Sequence, residues 1–140
     1  VSYKNYKPRD FLEGDIIYCV FDRNANSDHE LEKAVKLAKE NNITIIFSNP
    51  CFEYWILCHF GYFPSSYESK DLIKRLTKYF KDYNKNDKDI YDKTKDKLED
   101  AVKNSKRILN EHNGKKIICR ECNPSTQVFM LIEKFKELKR

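Results

Sequence analysis

The sequence predicts an α/β domain of three layers, built on a small, mostly parallel sheet with a helical insertion at about residues 69–112. Three observations carry this. Asp15-Ile16-Ile17-Tyr18-Cys19-Val20-Phe21 is a continuous apolar run of β type, as expected for a central strand covered on both faces. Ile43-Thr44-Ile45-Ile46-Phe47 is a second such run. Between them Leu31, Ala34, Val35 and Ala38 recur at i, i+3, i+4 and i+7, one apolar stripe on a helix. Strand, helix and strand at this length make a βαβ crossover, so the strands are predicted parallel and the connection right-handed.

Each element has its own local signals. Residues 1–14 are polar and aromatic without periodicity, an extended lead-in, and Glu13-Gly14 reads as a turn. Asp22-Arg23-Asn24-Ala25-Asn26-Ser27-Asp28 is a polar loop, in which Ser27 or Asp28 can cap the first helix. Asn41-Asn42 ends that helix. After the second strand, Asn49 and Pro50 suit the N-cap and first position of a helix running to Cys58. That helix is almost wholly apolar, so it is predicted to be buried. Gly61 to Ser66 breaks the chain, and Leu72, Ile73, Leu76, Tyr79 and Phe80 mark an amphipathic helix. A charged connection at 82–89 leads to a longer helix from about Tyr91 to Glu111, stopped by His112-Asn113-Gly114. Residues 116–119 form a short candidate strand. Asn123-Pro124-Ser125-Thr126 repeats the Asn-Pro helix start, before a last helix carrying Val128, Leu131, Ile132, Phe135 and Leu138.

The 140 residues are predicted to form one domain, long enough to bury roughly 70% of the unfolded surface. Two or three strands are few for so much helix, so further strands are expected before Val1 or from another chain. A net charge of +5 is compatible with nucleic acid without requiring it. No run is long and apolar enough to span a membrane, and no signal peptide is evident, so no membrane role is expected. Five cysteines, an odd number partly inside apolar runs, suit a reducing, cytoplasmic setting.

Glu53 is the most informative residue, the single charge in an apolar helix just past a strand end. Buried carboxylates demand a cation, a metal or several donors. It is read either as half of a metal site facing Asp22 or as a structural Glu bonded to Arg23 or to backbone N–H groups. Asp22, where a strand meets a loop, is either a Mg²⁺ ligand or a carboxylate bonded to local backbone. Arg23 can grip a phosphate or pair with Asp28 or Glu53. Asn49 and Asn123 are read first as helix caps; they can also aim two helix N-termini at one phosphate. Trp55 is read as core. Cys119-Arg120-Glu121-Cys122 is a CxxC with Cys51, Cys58 and His59 as candidate partners, too weak a pattern for zinc to be expected. The Lys-rich stretch 70–107 is laced with Asp and reads as a solvated face, one that can also supply sequence-independent phosphate contacts, with Tyr79, Tyr83 and Tyr91 interleaved.

Three segments together resemble the RloB-like family of bacterial defence and restriction-linked loci. They are Val20-Phe21-Asp22-Arg23-Asn24, the run from Ser48 through Glu53-Tyr54-Trp55 to Phe60, and Asn123-Pro124-Ser125-Thr126. The resemblance implies a relative of Toprim-type (Rossmann-like) nuclease domains, using Mg²⁺ or Mn²⁺ on nucleic-acid phosphodiesters with an RloA-like ATPase partner in anti-phage defence. It implies catalytic Asp22 and Glu53, with Asn24 completing the metal set. Substrate contacts would come from Arg23, Asn49, Asn123, Ser125 and Thr126. The family's Asp-Arg-Asp is Asp22-Arg23-Asn24 here, and its upstream Glu-Gly motif is not visible. This chain alone is therefore expected to be weakly active or inactive, and a non-catalytic module that docks the ATPase or nucleic acid is the alternative.

Overall fold

The computed structural model describes residues 14–139. The lead-in before Gly14, with Glu13, lies outside the described residues. Strand β1 (Ile17–Asp22) is followed by helix α1 (Asp28–Glu40), strand β2 (Ile43–Asn49) and helix α2 (Glu53–Cys58). Ser27 caps α1 in a reciprocal capping box with Glu30. The β1–β2 pair is parallel and in register from Ile17 opposite Ile43 to Asp22 opposite Ser48, as the βαβ pattern predicts. Helices α3 (Ser69–Leu76), α4 (Ile90–Thr94) and α5 (Leu98–Glu111) follow, then the two-residue strand β3 (Ser125–Thr126) and helix α6 (Val128–Leu138).

The sheet is mixed, in the order β1-β2-β3, with β3 antiparallel to β2. Among the described residues β2, not β1, is therefore the central strand. Ile16 and Val20 are about half exposed, so the apolar run that predicts a strand covered on both faces forms an edge here. Alternation along β2 splits the core. Ile46 joins the large cluster made with Tyr54, Ile56 and Leu57 of α2, Leu72 and Leu76 of α3, Ala101 and Ile108 of α5, and Phe129 of α6. Phe47 points the other way and meets Phe21 edge to face, with ring centroids 5.6 Å apart. Leu31 and Ala38 of α1 are buried but stand outside the large cluster, so α1 forms the second helical layer. Trp55 is core, as read from the sequence.

Several local expectations change. Neither Asn-Pro pair starts a helix: α2 begins at Glu53 after Phe52, and α6 at Val128 after Gln127, with no side-chain cap on either. Asn49 and Asn123 each precede a cis proline, and their amides have long-range partners instead. Residues 116–119 form no strand, and the chain bends at 117–119. The helix at 91–111 is interrupted: Thr94 is buried and turns its hydroxyl back onto the Ile90 carbonyl at 2.7 Å, and a 3₁₀ turn (Lys95–Lys97) precedes α5. The end of α5 is as expected, with His112 at the cap and Gly114 at φ 83°.

Within 69–112, every lysine is exposed, as the mixed charge suggests. The helices themselves do not project. Ala101, Ser105 and Ile108 of α5 are buried against α2 and β3, so α5 belongs to the core layer. Ile108→Ala should therefore cost about 2–5 kcal/mol, the range for deleting a buried branched side chain. Urea denaturation reads this directly, and a peripheral α5 would instead lose well under about 1 kcal/mol.

Candidate functional site

The site begins where β1 and β2 end together. Asp22 closes β1, and the parallel alignment continues beyond it. The Arg23 N–H donates to the Ser48 carbonyl at 2.9 Å and the Asn24 N–H to the Pro50 carbonyl at 3.3 Å. Asn24 then takes a left-handed conformation (φ 43°), which asparagine tolerates better than most residues. β2 has a short path into α2, because its last residue Asn49 is followed by Pro50-Cys51-Phe52 and then Glu53. Asp22 and Glu53 thus come to the same end of the parallel pair, the edge where α/β sheets bind ligands.

Glu53 is only 5% exposed. Its Oε1 accepts the Tyr83 hydroxyl at 2.9 Å, and Lys85 Nζ stands 3.7 Å away. Lys85 is largely exposed, so its attraction is screened and modest. Burial holds the Asp22 carboxyl above its ordinary pKa. The Phe52 N–H, which it accepts, opposes that shift; the negative charge of Glu53 adds to it; Lys85 pulls slightly back. Two carboxylates therefore share a partly desolvated spot with one loosely held cation 3.7 Å from Glu53. Cys51 beside them has its thiol pushed up to about 12, by burial first and by Glu53 second.

The other residues singled out in the sequence separate into two groups. Arg23 pairs with neither Asp28 nor Glu53: Asp28 accepts the Arg120 N–H at 2.8 Å, and Glu53 is held by Tyr83 and Lys85. The buried Nε of Arg23 has no hydrogen-bond partner among the described residues. Asn24 is exposed beside Asp22 in sequence. Asn49, Asn123, Ser125 and Thr126 instead do structural work. Asn49 Nδ2 donates to the carbonyls of Cys119 (2.9 Å) and Arg120 (3.3 Å). The Asn123 side chain makes a two-way pair with the backbone of Tyr67, at 3.1 and 2.7 Å. Ser125 Oγ donates to the Cys122 carbonyl at 2.8 Å, and the Thr126 hydroxyl meets that of Ser48 at 2.8 Å. The two hydroxyls are fully buried. The thiols of Cys119 and Cys122 converge on the Lys116 carbonyl and do not meet Cys51, Cys58 or His59. Burial pushes the pKa of His59 down, and the bonds of its Nδ1 to the Trp55 and Ile56 carbonyls oppose that shift.

Sequence reasoning missed Tyr83, Lys85 and Arg120. The first two arrive from the charged connection after α3, carried by an aromatic run. Phe60 stacks on Tyr79 at 5.7 Å and meets Phe80 edge to face, and Phe80 in turn meets Tyr83 at 6.1 Å. The interleaved tyrosines of 79–91 were the available signal; nothing local points them at a residue thirty positions away. Arg120 Nη1 donates to the Asn26 carbonyl at 2.8 Å, tying the CxxC loop to the loop after β1.

Asp22 and Glu53 provide the anionic oxygen donors that a hard divalent cation takes. Among the described residues no group of three or more His, Cys, Asp and Glu side chains gathers as a metal site, so such a cation would depend on this pair and on neutral oxygens. No helix among the described residues is long and apolar enough to cross a membrane.

The raised Asp22 pKa yields a stability prediction. Its folded value exceeds its unfolded one, so protonated Asp22 favours the fold, and that contribution is lost as pH rises through the folded value. Asp22→Asn should therefore melt at a higher temperature than the unsubstituted protein at pH 7 in chelator. The gap should close as pH falls below the unfolded carboxylate range, about 3.9. Equal melting curves at pH 7 would show that the charge is already compensated.

Comparison with known proteins fits the motif reading. No curated protein and no solved structure matches the chain. A family model described as RloB-like protein matches residues 3–135, a span that takes in Asp22, Glu53, Asn123 and the whole described sheet. With nearly its full length matched, the chain belongs to the RloB-like protein family.

Proposed function

We propose that this protein is a Toprim-like, divalent-metal-dependent nuclease of an anti-phage defence system, cutting nucleic-acid phosphodiesters under the control of an RloA-like partner ATPase. The observation that carries the reading is the meeting of Asp22 and Glu53 at the end of the parallel strand pair, with their charge only partly compensated. Asp22 and Glu53 would hold Mg²⁺ or Mn²⁺, with Asn24 offering a neutral carbonyl. The bound metal supplies activation of water and stabilisation of the leaving oxygen. Arg23 offers the phosphate a guanidinium whose Nε is otherwise unpaired. Tyr83 orients the Glu53 carboxylate through its hydroxyl, and Lys85 brings positive charge to the place where an anionic backbone would lie. The buried Asn49, Ser125 and Thr126 and the half-buried Asn123 support this arrangement by holding the strand ends and the chain beside them, and carry no substrate role in it.

A second reading is a non-catalytic module that docks the ATPase or nucleic acid. It is favoured by Asn24 standing where the family motif has a carboxylate, and by Tyr83 and Lys85 already engaging Glu53. One set of assays separates the two. The full gene product, given Mn²⁺, ATP and the partner ATPase, should nick or cut DNA or RNA. Asp22→Ala and Glu53→Ala should each lower the rate by more than about 100-fold, beyond the usual effect of an outer-shell partner. Cutting that survives both substitutions removes this site assignment, and partner binding without any cutting favours the docking module. Lys85→Ala should tighten Mn²⁺ binding by up to about fivefold, because the exposed pair it breaks is worth at most ~1 kcal/mol. Calorimetric titration measures that effect independently of cleavage.

A further inference from the structure

The CxxC loop supplies no group to the proposed metal site, and the proposed reaction makes no use of it. Its two cysteines are reduced, Cys122 fully buried and Cys119 partly exposed. Both thiols donate to a single acceptor, the Lys116 carbonyl, Cys119 at 2.9 Å and Cys122 at 3.1 Å. The two sulfurs therefore approach one another at one oxygen, and Cys119 is close enough to act on the Cys122 proton. Cys51 and Cys58 are buried in the large core cluster and share no such acceptor with a second thiol among the described residues. Ser125 and Asn49 brace the loop from beneath through the Cys122, Cys119 and Arg120 carbonyls, so the pair is held in a defined geometry.

We propose that Cys119 and Cys122 form a reversible dithiol–disulfide site, oxidised by a low-molecular-weight disulfide of the glutathione type. Cys119, the accessible member, attacks as its thiolate on one sulfur of the reagent. The reagent's S–S bond breaks, one reduced thiol leaves, and a mixed disulfide remains on Cys119. Cys122 then gives its proton to solvent and attacks the Cys119 sulfur, expelling the second thiol. Two electrons pass from the protein to the reagent, which leaves as two thiols. The order of attack follows exposure. The Cys122 thiol is pushed up to about 11, by burial first and by its neighbour Cys119 next, with Lys115 opposing and Glu121 adding. It is the poorer initial nucleophile and the natural resolving group.

Closure has a structural consequence. It removes both S–H donors from the Lys116 carbonyl and re-aims the segment whose Cys119 and Arg120 carbonyls hold buried Asn49. The same segment clamps the loop after β1, through the Arg120 N–H to Asp28 and the guanidinium to the Asn26 carbonyl. The redox state of the loop thus reaches the chain that carries Arg23 and Asn24.

The test uses the intact protein, incubated with oxidised or with reduced glutathione, freed of the reagent, alkylated in denaturant, and digested with trypsin without reduction. After oxidation the fragments on either side of Arg120 should be joined through Cys119 and Cys122; after reduction they should be separate and alkylated. Cys122→Ser should accumulate glutathione on Cys119, and Cys119→Ser should leave Cys122 free of glutathione as long as the protein is folded during the incubation. Two free thiols after prolonged exposure to oxidised glutathione would overturn the site. So would a glutathione adduct on Cys119 that persists in the unsubstituted protein. Amide hydrogen exchange over residues 23–28 should change severalfold between the two forms; identical exchange would overturn the coupling to the β1 loop.

Discussion

The C-terminal half of β2 runs from Ile46 to Asn49 with every residue buried, and burial continues through Pro50 and Cys51. A polar strand end in such a place must have its hydrogen bonds met inside the protein, because each unmet group costs of order 1–3 kcal/mol. The rest of the structure is arranged around that demand. Arg23 and Asn24 meet the Ser48 and Pro50 carbonyls from one side. From the other side β3 pairs with Ser48 and Asn49, and Gln127 both donates to and accepts from the backbone of Phe47. The Ser48 hydroxyl finds Thr126, and the Asn49 amide finds the CxxC loop. Of the polar atoms of this strand end, buried Asn49 Oδ1 is left without a partner among the described residues.

Holding that strand end firmly is what brings two carboxylates together. Neither Asp22 nor Glu53 is well placed for stability. Asp22 is desolvated and repelled by Glu53, and Glu53 relies on a tyrosine hydroxyl and a mostly exposed lysine. A buried ion pair built for stability alone has a close, well-bonded cation. Here the nearest cation is at 3.7 Å on a flexible stem. A perturbed acid with a second, buried carboxylate beside it at the end of a parallel strand pair is the pattern expected of a working site.

Helices α3 and α5 contribute to this by packing, not by reaching. They bury Leu72, Leu76, Ala101 and Ile108 against α2, while their lysines stay in solvent. The segment between α3 and α4 is then short of apolar anchors except for its aromatic residues. Those residues, stacked from Phe60 through Tyr79 and Phe80, deliver Tyr83 to Glu53. The face that carries dense positive charge and the helix that carries the buried acid are thereby parts of one packed layer.

What the sequence determined by itself was whatever depends on neighbours within a few positions. The β1–α1–β2 unit, the parallel sense of its strands, the Ser27 cap, the burial of α2 and Trp55 and the stop at His112 all follow from period and capping. Asp22 and Glu53 were legible because an acid in an apolar run is conspicuous, and because both strand ends of a βαβ unit share one edge. Tertiary structure decided the rest. Asn49 and Asn123 obey a local capping rule, yet partners 70 and 56 residues away take their amides, so the helices start later. Ser125 and Thr126 become a strand only because the polar end of β2 needs an antiparallel neighbour. Tyr83 and Lys85 reach Glu53 only because aromatic packing folds their loop back. Period and caps are written in consecutive residues; the pairing of buried polar groups is a property of the assembled core, and it overrides a local preference worth about 1 kcal/mol.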